Sequence, residues 1–257
     1  MCHLAETKTM KYRENKIDGF LSNFIQCFWE FDKRVKDVNY TILPDGYFDI
    51  IFEIKNNKLS TVSLTGVWTK PINVHIEKDT KLVGIRFKLI AAEYVFKQAI
   101  KNILNTMTDL PINFFGAKNL PFDDLDAFTE HFLEKINLGL RNLNEIDNRK
   151  FKLFELLYGN KGNLKINVLA EKVFWSSRQI NRYFNQKFGF SLKTFSNILK
   201  CNSSYREIAN GQLFPQQNYF DQAHFIKEVK KYTGSTPKEL YKNENDRFLQ
   251  LSTLLTS

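Results

Sequence analysis

The sequence predicts an α+β protein, with a small antiparallel β barrel or sandwich carrying some helices in its N-terminal half and an all-α double helix-turn-helix in its C-terminal half. Three observations predict it. Short runs of aromatic and β-branched residues separated by turn residues fill 43–87; apolar spacings of three and four begin at Ala91; and the last hundred residues match themselves at an offset of 45. A length of 257 residues with 43% hydrophobic and 25% charged content fits two folded domains, placed at 1–148 and 149–257.

Leu43-Pro44-Asp45-Gly46 is a turn signal, and Tyr47 to Ile54 reads as a largely buried strand. Asn56-Asn57 turns the chain into a second strand, Leu59 to Trp68. Ile72 to Ile76 and Leu82 to Phe87 flank the polar stretch Glu77 to Thr80 as a further hairpin. Strands this short and this close suit a container with a ligand in its mouth. Tyr47, Trp68 and Arg86 are the residues expected to line it, Arg86 serving an anionic ligand.

Ala92, Val95, Phe96, Ala99, Ile100 and Ile103 predict a packed helix. A second stripe, Leu125, Phe128, Phe132, Ile136, Leu140 and Leu143, predicts a helix over Asp123 to Leu143 that faces the core, bridges the two domains or pairs two copies of the chain. Its opening pair Asp123 and Asp124 suits the positive end of the helix dipole.

The net charge of +9 is unevenly placed. Residues 151–257 hold 16 Lys and Arg against 8 Asp and Glu, leaving a surplus of only one in 1–150. A basic half beside a neutral half points to a polyanion as its partner.

Within that half, Ser176 pairs with Asp221 at the 45-residue offset, Ile180 with Phe225, Arg182 with Lys227, Phe184 with Val229, Gly189 with Gly234 and Ser191 with Thr236. Each copy thus carries a helix cap, an apolar i, i+4 anchor, a basic residue on another side and a glycine suited to a left-handed stop. In the first copy, Ile166 to Val173 and Ser177 to Phe188 are two helices joined by a tight turn at Phe174-Trp175, the second of them rich in Arg, Asn and Gln. Such side chains bond base edges in a major groove. The polar amides of Ser177 to Phe188 also argue against a membrane-surface helix, which would show one broad apolar face.

Ser176 to Gly189 (SSRQINRYFNQKFG) and Tyr219 to Pro237 (YFDQAHFIKEVKKYTGSTP) resemble the DNA-binding domain of the AraC/XylS transcriptional regulators, over about residues 155–242. The resemblance implies two helix-turn-helix units joined by a long helix, Leu192 to Asn210, with two recognition helices in successive major grooves of double-stranded DNA. Ser177, Arg178, Asn181 and Arg182 in the first, and Gln222, Ala223 and Lys227 in the second, are the implied DNA contacts. Pro44 to Phe52 and Gly84 to Phe87 are similar to the β-rich sensor region ahead of that domain in some members. The expected partners are therefore DNA, a small-molecule effector, a second copy of the chain and, for an activator, RNA polymerase. The chain departs from the family at Leu213-Phe214-Pro215-Gln216-Gln217, where Pro opposes a continuing helix, so the scaffold helix of the second unit is expected to be short or irregular.

Against an enzyme stands the lack of a phosphate-binding glycine loop, a nucleophile elbow or a metal-ligand cluster, so no cofactor or metal is assigned. His75 beside Glu77 has too few companions for a metal site, and His224 is read as a helix-packing residue. Cys2, Cys27 and Cys201 are isolated, and neither a signal peptide nor an 18-residue apolar run appears, which points to a cytoplasmic protein. The competing reading is a ligand-binding or catalytic β-barrel protein with an incidental basic tail.

Overall fold

The computed structural model describes residues 11–33, 37–141, 146–214 and 219–254. Its N-terminal part holds strands β1 (Lys11–Lys16), β2 (Ile25–Lys33), β3 (Val38–Ile42), β4 (Phe48–Lys55), β5 (Lys58–Thr65), β6 (Ile72–Ile76) and β7 (Thr80–Phe87), a one-turn helix α1 (Ala91–Tyr94) and the edge strand β8 (Met107–Asp109). Eight helices follow α1 and β8 or lie beyond them: α2 (Leu125–Arg141), α3 (Asn148–Gly159), α4 (Ile166–Lys172), α5 (Ser177–Phe188), α6 (Leu192–Ala209), α7 (Gln222–Thr233), α8 (Pro237–Lys242) and α9 (Leu249–Leu254). The protein is thus α+β, with an antiparallel sheet region first and a helical part after it.

The strands form two separate antiparallel sheets, β1-β2-β7-β4-β5-β8 and β3-β6, so the barrel is not closed. Asn56 and Asn57, at φ 51° and 59°, make the tight turn that joins β4 to β5. The expected hairpin between Ile72–Ile76 and Leu82–Phe87 does not form. β7 is a central strand between β2 and β4, while β6 leaves the large sheet and pairs with β3, Tyr40 opposite Val74 and Ile42 opposite Ile72. The patterns explain the parting: β7 is apolar enough to lie in the middle of a sheet, whereas β6 alternates between exposed and covered residues and suits a two-stranded cover.

β4 shows why the large sheet has two different faces. Phe48, Ile50, Phe52 and Ile54 turn one way and are buried, Phe52 touching Phe128 and Phe132 of α2 at ring distances of 5.6 and 5.9 Å. Asp49, Ile51 and Glu53 turn the other way, toward the small sheet. The whole described stripe of α2, Leu125, Phe128, Phe132, Ile136 and Leu140, is buried in this core, so it is not an apolar face for a second copy; Leu143 lies outside the described residues.

The helix expected over Ala91 to Ile103 is also corrected. α1 ends after four residues, Lys97 takes φ 55°, and Lys101–Ile103 is a 3-10 turn. Past α1 the ladder is interrupted by a bond to a distant partner, the Ile100 amide donating to the Lys187 carbonyl at the end of α5 at 2.9 Å, and just beyond the segment the Asn105 amide donates to Val67 at 3.1 Å.

Two apolar cores run through the helical part. α3, α4, α5 and the first half of α6 are continuous with the core of the large sheet through Phe154, Phe184, Phe188 and Phe195. The later half of α6, with α7, α8 and α9, forms a second core around Tyr205, Phe225, Val229 and Leu251, which also takes in Leu43 from the turn before β4. The described residues between α6 and α7, 210–214 and 219–221, form no helix, Ile208 and Ala209 belong to α6, and Pro215 to Asn218 lie outside the description.

Candidate nucleic-acid interface and ligand cavity

α5 and α7 are built alike. Ser176 accepts from the Gln179 amide while Gln179 reaches back to the Ser176 amide at 2.9 Å, and Asp221 accepts from the His224 amide at 2.7 Å. Gly189 and Gly234 end the two helices in the left-handed conformation, at φ 83° and 72°. Ile180 and Phe184 anchor α5 and Phe225 and Val229 anchor α7, all buried. These anchors fix which sides remain outside: Arg178 and Arg182 on α5, and Gln222, Ala223 and Lys227 on α7, are exposed, with Ser177 half-buried. His224 is exposed too, its ring beside Tyr219, rather than packed inside.

Asn181 differs from its neighbours. Its Nδ2 donates to the Ser177 carbonyl at 3.0 Å, and its Oδ1 accepts from the Leu192 amide at 3.2 Å at the start of α6. Both ends of the amide are occupied within the protein, so the side chain is not placed to make a forked bond to adenine. The repeat agrees: the residue equivalent to Asn181 in α7 is Ile226, which packs on the second core.

α6, at 18 residues and about 27 Å long, separates the two helices. α5 is tied to the sheet part by the Tyr183 hydroxyl, which donates to Glu93 of α1 at 3.0 Å, and the preceding α3 by the ion pair of Lys150 with the same Glu93.

The strongest link between sheet and helices is the turn before β4. Four consecutive carbonyl oxygens accept bonds from helical residues: Leu43 from Gln250 Nε2 at 2.8 Å, Pro44 from the Tyr205 hydroxyl at 2.8 Å, Asp45 from Asn202 Nδ2 at 3.1 Å and Gly46 from the Tyr158 hydroxyl at 2.9 Å. Gln250 also accepts from the Leu43 amide at 2.9 Å, closing a two-way bond with α9. Gly46 is needed here, since at φ 87° a Cβ would lie 2.7 Å from Leu199 of α6.

The side chain of Asp45 leaves this turn for a cavity of about 360 Å3 between the two sheets. Trp29, Phe31, Trp68 and Tyr12 supply aromatic walls, and Leu249, Gln250 and Thr253 of α9 complete the lining. Gly84 lets the Trp29 indole lie against β7. Trp29 Nε1 donates to Asp49 at 2.8 Å, and Arg86 Nε meets the same Asp49 oxygen at 3.3 Å, with its Nη2 3.7 Å from Asp45. Burial works against the Arg86 charge, but Asp49 and Asp45 overcome it and hold its pKa well above the ordinary value. Burial pushes the Asp45 carboxyl up to about 6, opposed by Arg86 and the Tyr47 amide and reinforced by Asp49. Burial likewise pushes the Cys27 thiol up to about 12, which keeps it an unreactive thiol.

Of the three expected cavity residues, Trp68 and Arg86 line this space, whereas Tyr47 lines a smaller adjoining one with Arg86, Asn202 and Tyr205, its ring 5.3 Å from that of Tyr158. Trp29, Asp45, Asp49, Asp109 and the α9 residues were not anticipated. The usable signal was Asp49 and Glu53 alternating with apolar residues along β4, the mark of a strand with a wet face. Among the described residues no group of three or more His, Cys, Asp and Glu is arranged to hold a metal ion, and no helix is long and apolar enough to cross a membrane.

Residues 18–109 match a protein family described as a domain of unknown function (DUF6597). No curated protein matches the chain. Among solved structures, ToxT from Vibrio cholerae O395 is 12% identical, with 91% of this chain and 98% of that chain covered and a TM-score of 0.43. ToxT from V. cholerae strain SCE256 with a bound unsaturated fatty acid is 12% identical over 93% and 97% of the two chains, at a TM-score of 0.41. The O395 protein bound to (E)-4-(8-methylnaphthalen-1-yl)but-3-enoic acid is 12% identical over 90% and 98%, at 0.43.

Proposed function

We propose that the protein is a sequence-specific double-stranded DNA-binding transcriptional regulator, with 1–148 as its sensing part and 149–257 as its DNA-binding part. The observation that carries this reading is the internal repeat: two helices with equivalent caps, anchors and left-handed stops, each presenting exposed polar and basic residues, in the half of the chain that holds a charge surplus of eight. The resemblance to the AraC/XylS regulators supports it. α4–α5 is the first helix-turn-helix, and α7 is the recognition helix of a second unit whose scaffold differs. Arg178 and Arg182, and Gln222 and Lys227, read bases; Ser177 and Ala223 lie at the helix starts, close to the DNA backbone. Asn181 positions α5 on α6.

The sensing part acts through the cavity. A ligand there meets Asp45 and α9, and both belong to the joint formed by residues 43–46, where α3, α6 and α9 bond four successive carbonyls. Occupancy therefore bears directly on the helix that spaces the two recognition helices.

The test is selection of bound fragments from a random duplex pool by the full chain, followed by affinity measurements on the selected sequence between about 50 and 200 mM salt. A preferred site with two contacted segments, bound with a steep loss of affinity as salt rises, is expected from several Lys and Arg contacts to phosphates. Failure to enrich any sequence, with no salt-dependent duplex binding, overturns the reading.

A further inference from the structure

The hydrogen-bonding groups of the cavity wall are unevenly spent. Four of its donors already serve its carboxylates: Trp29 Nε1 and Arg86 Nε go to Asp49, Thr61 Oγ1 to Glu53 at 2.9 Å, and Ser63 Oγ to Asp109 at 3.1 Å. At the α9 side, Gln250 spends both ends of its amide on Leu43. A carboxylate offers about four lone-pair sites, so Asp49, Glu53 and Asp109 keep acceptor capacity after these bonds. These carboxylates leave room for a further donor.

Charge agrees with this count. Asp45, Asp49, Glu53 and Asp109 line the cavity, and the guanidinium of Arg86, the one Lys or Arg among the described lining residues, is held between Asp45 and Asp49. Glu53 has a second cation in Lys55, at 3.1 Å. Asp109 has Ser63 as its side-chain donor and sits on the short edge strand β8. An anionic ligand would meet Arg86 already neutralised by two carboxylates and would face those carboxylates in a partly enclosed space, where such repulsion is strong. The expectation that Arg86 serves an anion is therefore not supported by its surroundings. The indoles of Trp29 and Trp68 and the rings of Tyr12 and Phe31 add the faces that attract a cation and the apolar area that holds an organic body.

We propose that the cavity between the two sheets is a site for a small organic ammonium ion with an apolar or aromatic body, its N–H groups donating to the wall carboxylates around Asp49 and Asp109 and its body lying among Trp29, Phe31 and Trp68. This rests on the sensing role given to the N-terminal part and adds the ligand's charge and hydrogen-bonding sense.

Three probes with the same phenylethyl body separate the chemistry: 2-phenylethylamine, 2-phenylethanol and 3-phenylpropanoate, titrated calorimetrically into the full chain at neutral pH without DNA. The amine is expected to bind at least tenfold more tightly than the alcohol, with no heat from the carboxylate. Asp49→Asn is expected to weaken amine binding at least tenfold. Asp109→Asn, on an exposed edge strand where folding is least at risk, is expected to weaken it several-fold with an unchanged melting temperature. Carboxylate binding equal to or tighter than the amine, binding of none of the three, or full amine affinity in both variants overturns the proposal. Because DNA is absent, these outcomes are independent of the duplex selection: an amine that binds a chain with no DNA preference leaves the ligand class standing and removes the regulator reading.

Discussion

The hydroxyl of Tyr205, buried in α6, donates to the carbonyl oxygen of Pro44 at 2.8 Å across 161 positions of sequence. Tyr205→Phe removes the donor and leaves a buried carbonyl unmatched, which costs about 1–3 kcal/mol. Chemical denaturation of the variant should show a loss of that size. If the turn is the joint between cavity and DNA-binding helices, the variant should also keep its affinity for the selected duplex while losing any change in that affinity on ligand addition. Tyr158→Phe, which frees Gly46 and the Leu89 amide, should behave in the same way.

Gly46 and Gly139 make a controlled pair. A Cβ on Gly46 must accept φ 87° and a 2.7 Å approach to Leu199, whereas a Cβ on Gly139, on the exposed side of α2, meets nothing within 4 Å. Gly46→Ala should lower the melting temperature clearly, and Gly139→Ala should raise it, by about 0.5–1 kcal/mol of helix propensity. Thermal unfolding of the two variants beside the parent checks both signs at once.

Much of this organisation was readable in the residues, and the parts that were not share one cause. α5 and α7 were legible to the residue because caps, anchors and glycine stops are local signals, and β6 because the polar stretch that ends it is local too. The partner of β6 was not legible: strand pairing depends on which edges of β7 are already taken, here by β2 and β4, a fact of tertiary packing. Ala91 to Ile103 carries a helical apolar stripe, yet the Ile100 amide goes to Lys187, a residue that no window of sequence brings near. The cavity residues were missed for a related reason. Leu249, Gln250 and Thr253 lie two hundred residues from β4, and only the closure of α9 over the small sheet places them beside Asp49. Asn181 shows the limit of residue type as a guide, since an amide suited to adenine is spent on Leu192.

Asp45 gives the protein a distinctive pH dependence. With burial as the leading cause, its carboxyl is pushed up to about 6, above the ordinary Asp value of about 3.9. Between those two values the folded state holds a proton that the unfolded chain has released. The stability from this group is therefore fully present below about pH 4 and is lost as pH rises through about 6. Asp45→Asn imitates the protonated form, so its melting temperature at pH 7.5 should exceed the parent's and its slope between pH 4 and 7 should be flatter. A variant slope equal to the parent's would assign the pH dependence to other groups.

The two halves of α5's polar surface should separate under substitution. On the proposed reading Arg182, exposed one turn beyond Arg178, forks onto a guanine, and its loss should cost about 1–3 kcal/mol on the selected duplex while sparing non-specific binding. Lys227, its equivalent on α7, should show the same pattern at the second contacted segment. Asn181→Ala should act differently: removing the bond to Leu192 loosens the start of α6, so stability falls by about 1 kcal/mol and affinity drops on every duplex alike. Binding isotherms for the three variants on the selected duplex and a scrambled one, with denaturation curves alongside, give the discriminating comparison. Equal losses on both duplexes for Arg182→Ala and Lys227→Ala would make these residues phosphate contacts. A selective loss for Asn181→Ala, with stability unchanged, would return Asn181 to base reading and show that its bond to Leu192 opens on DNA.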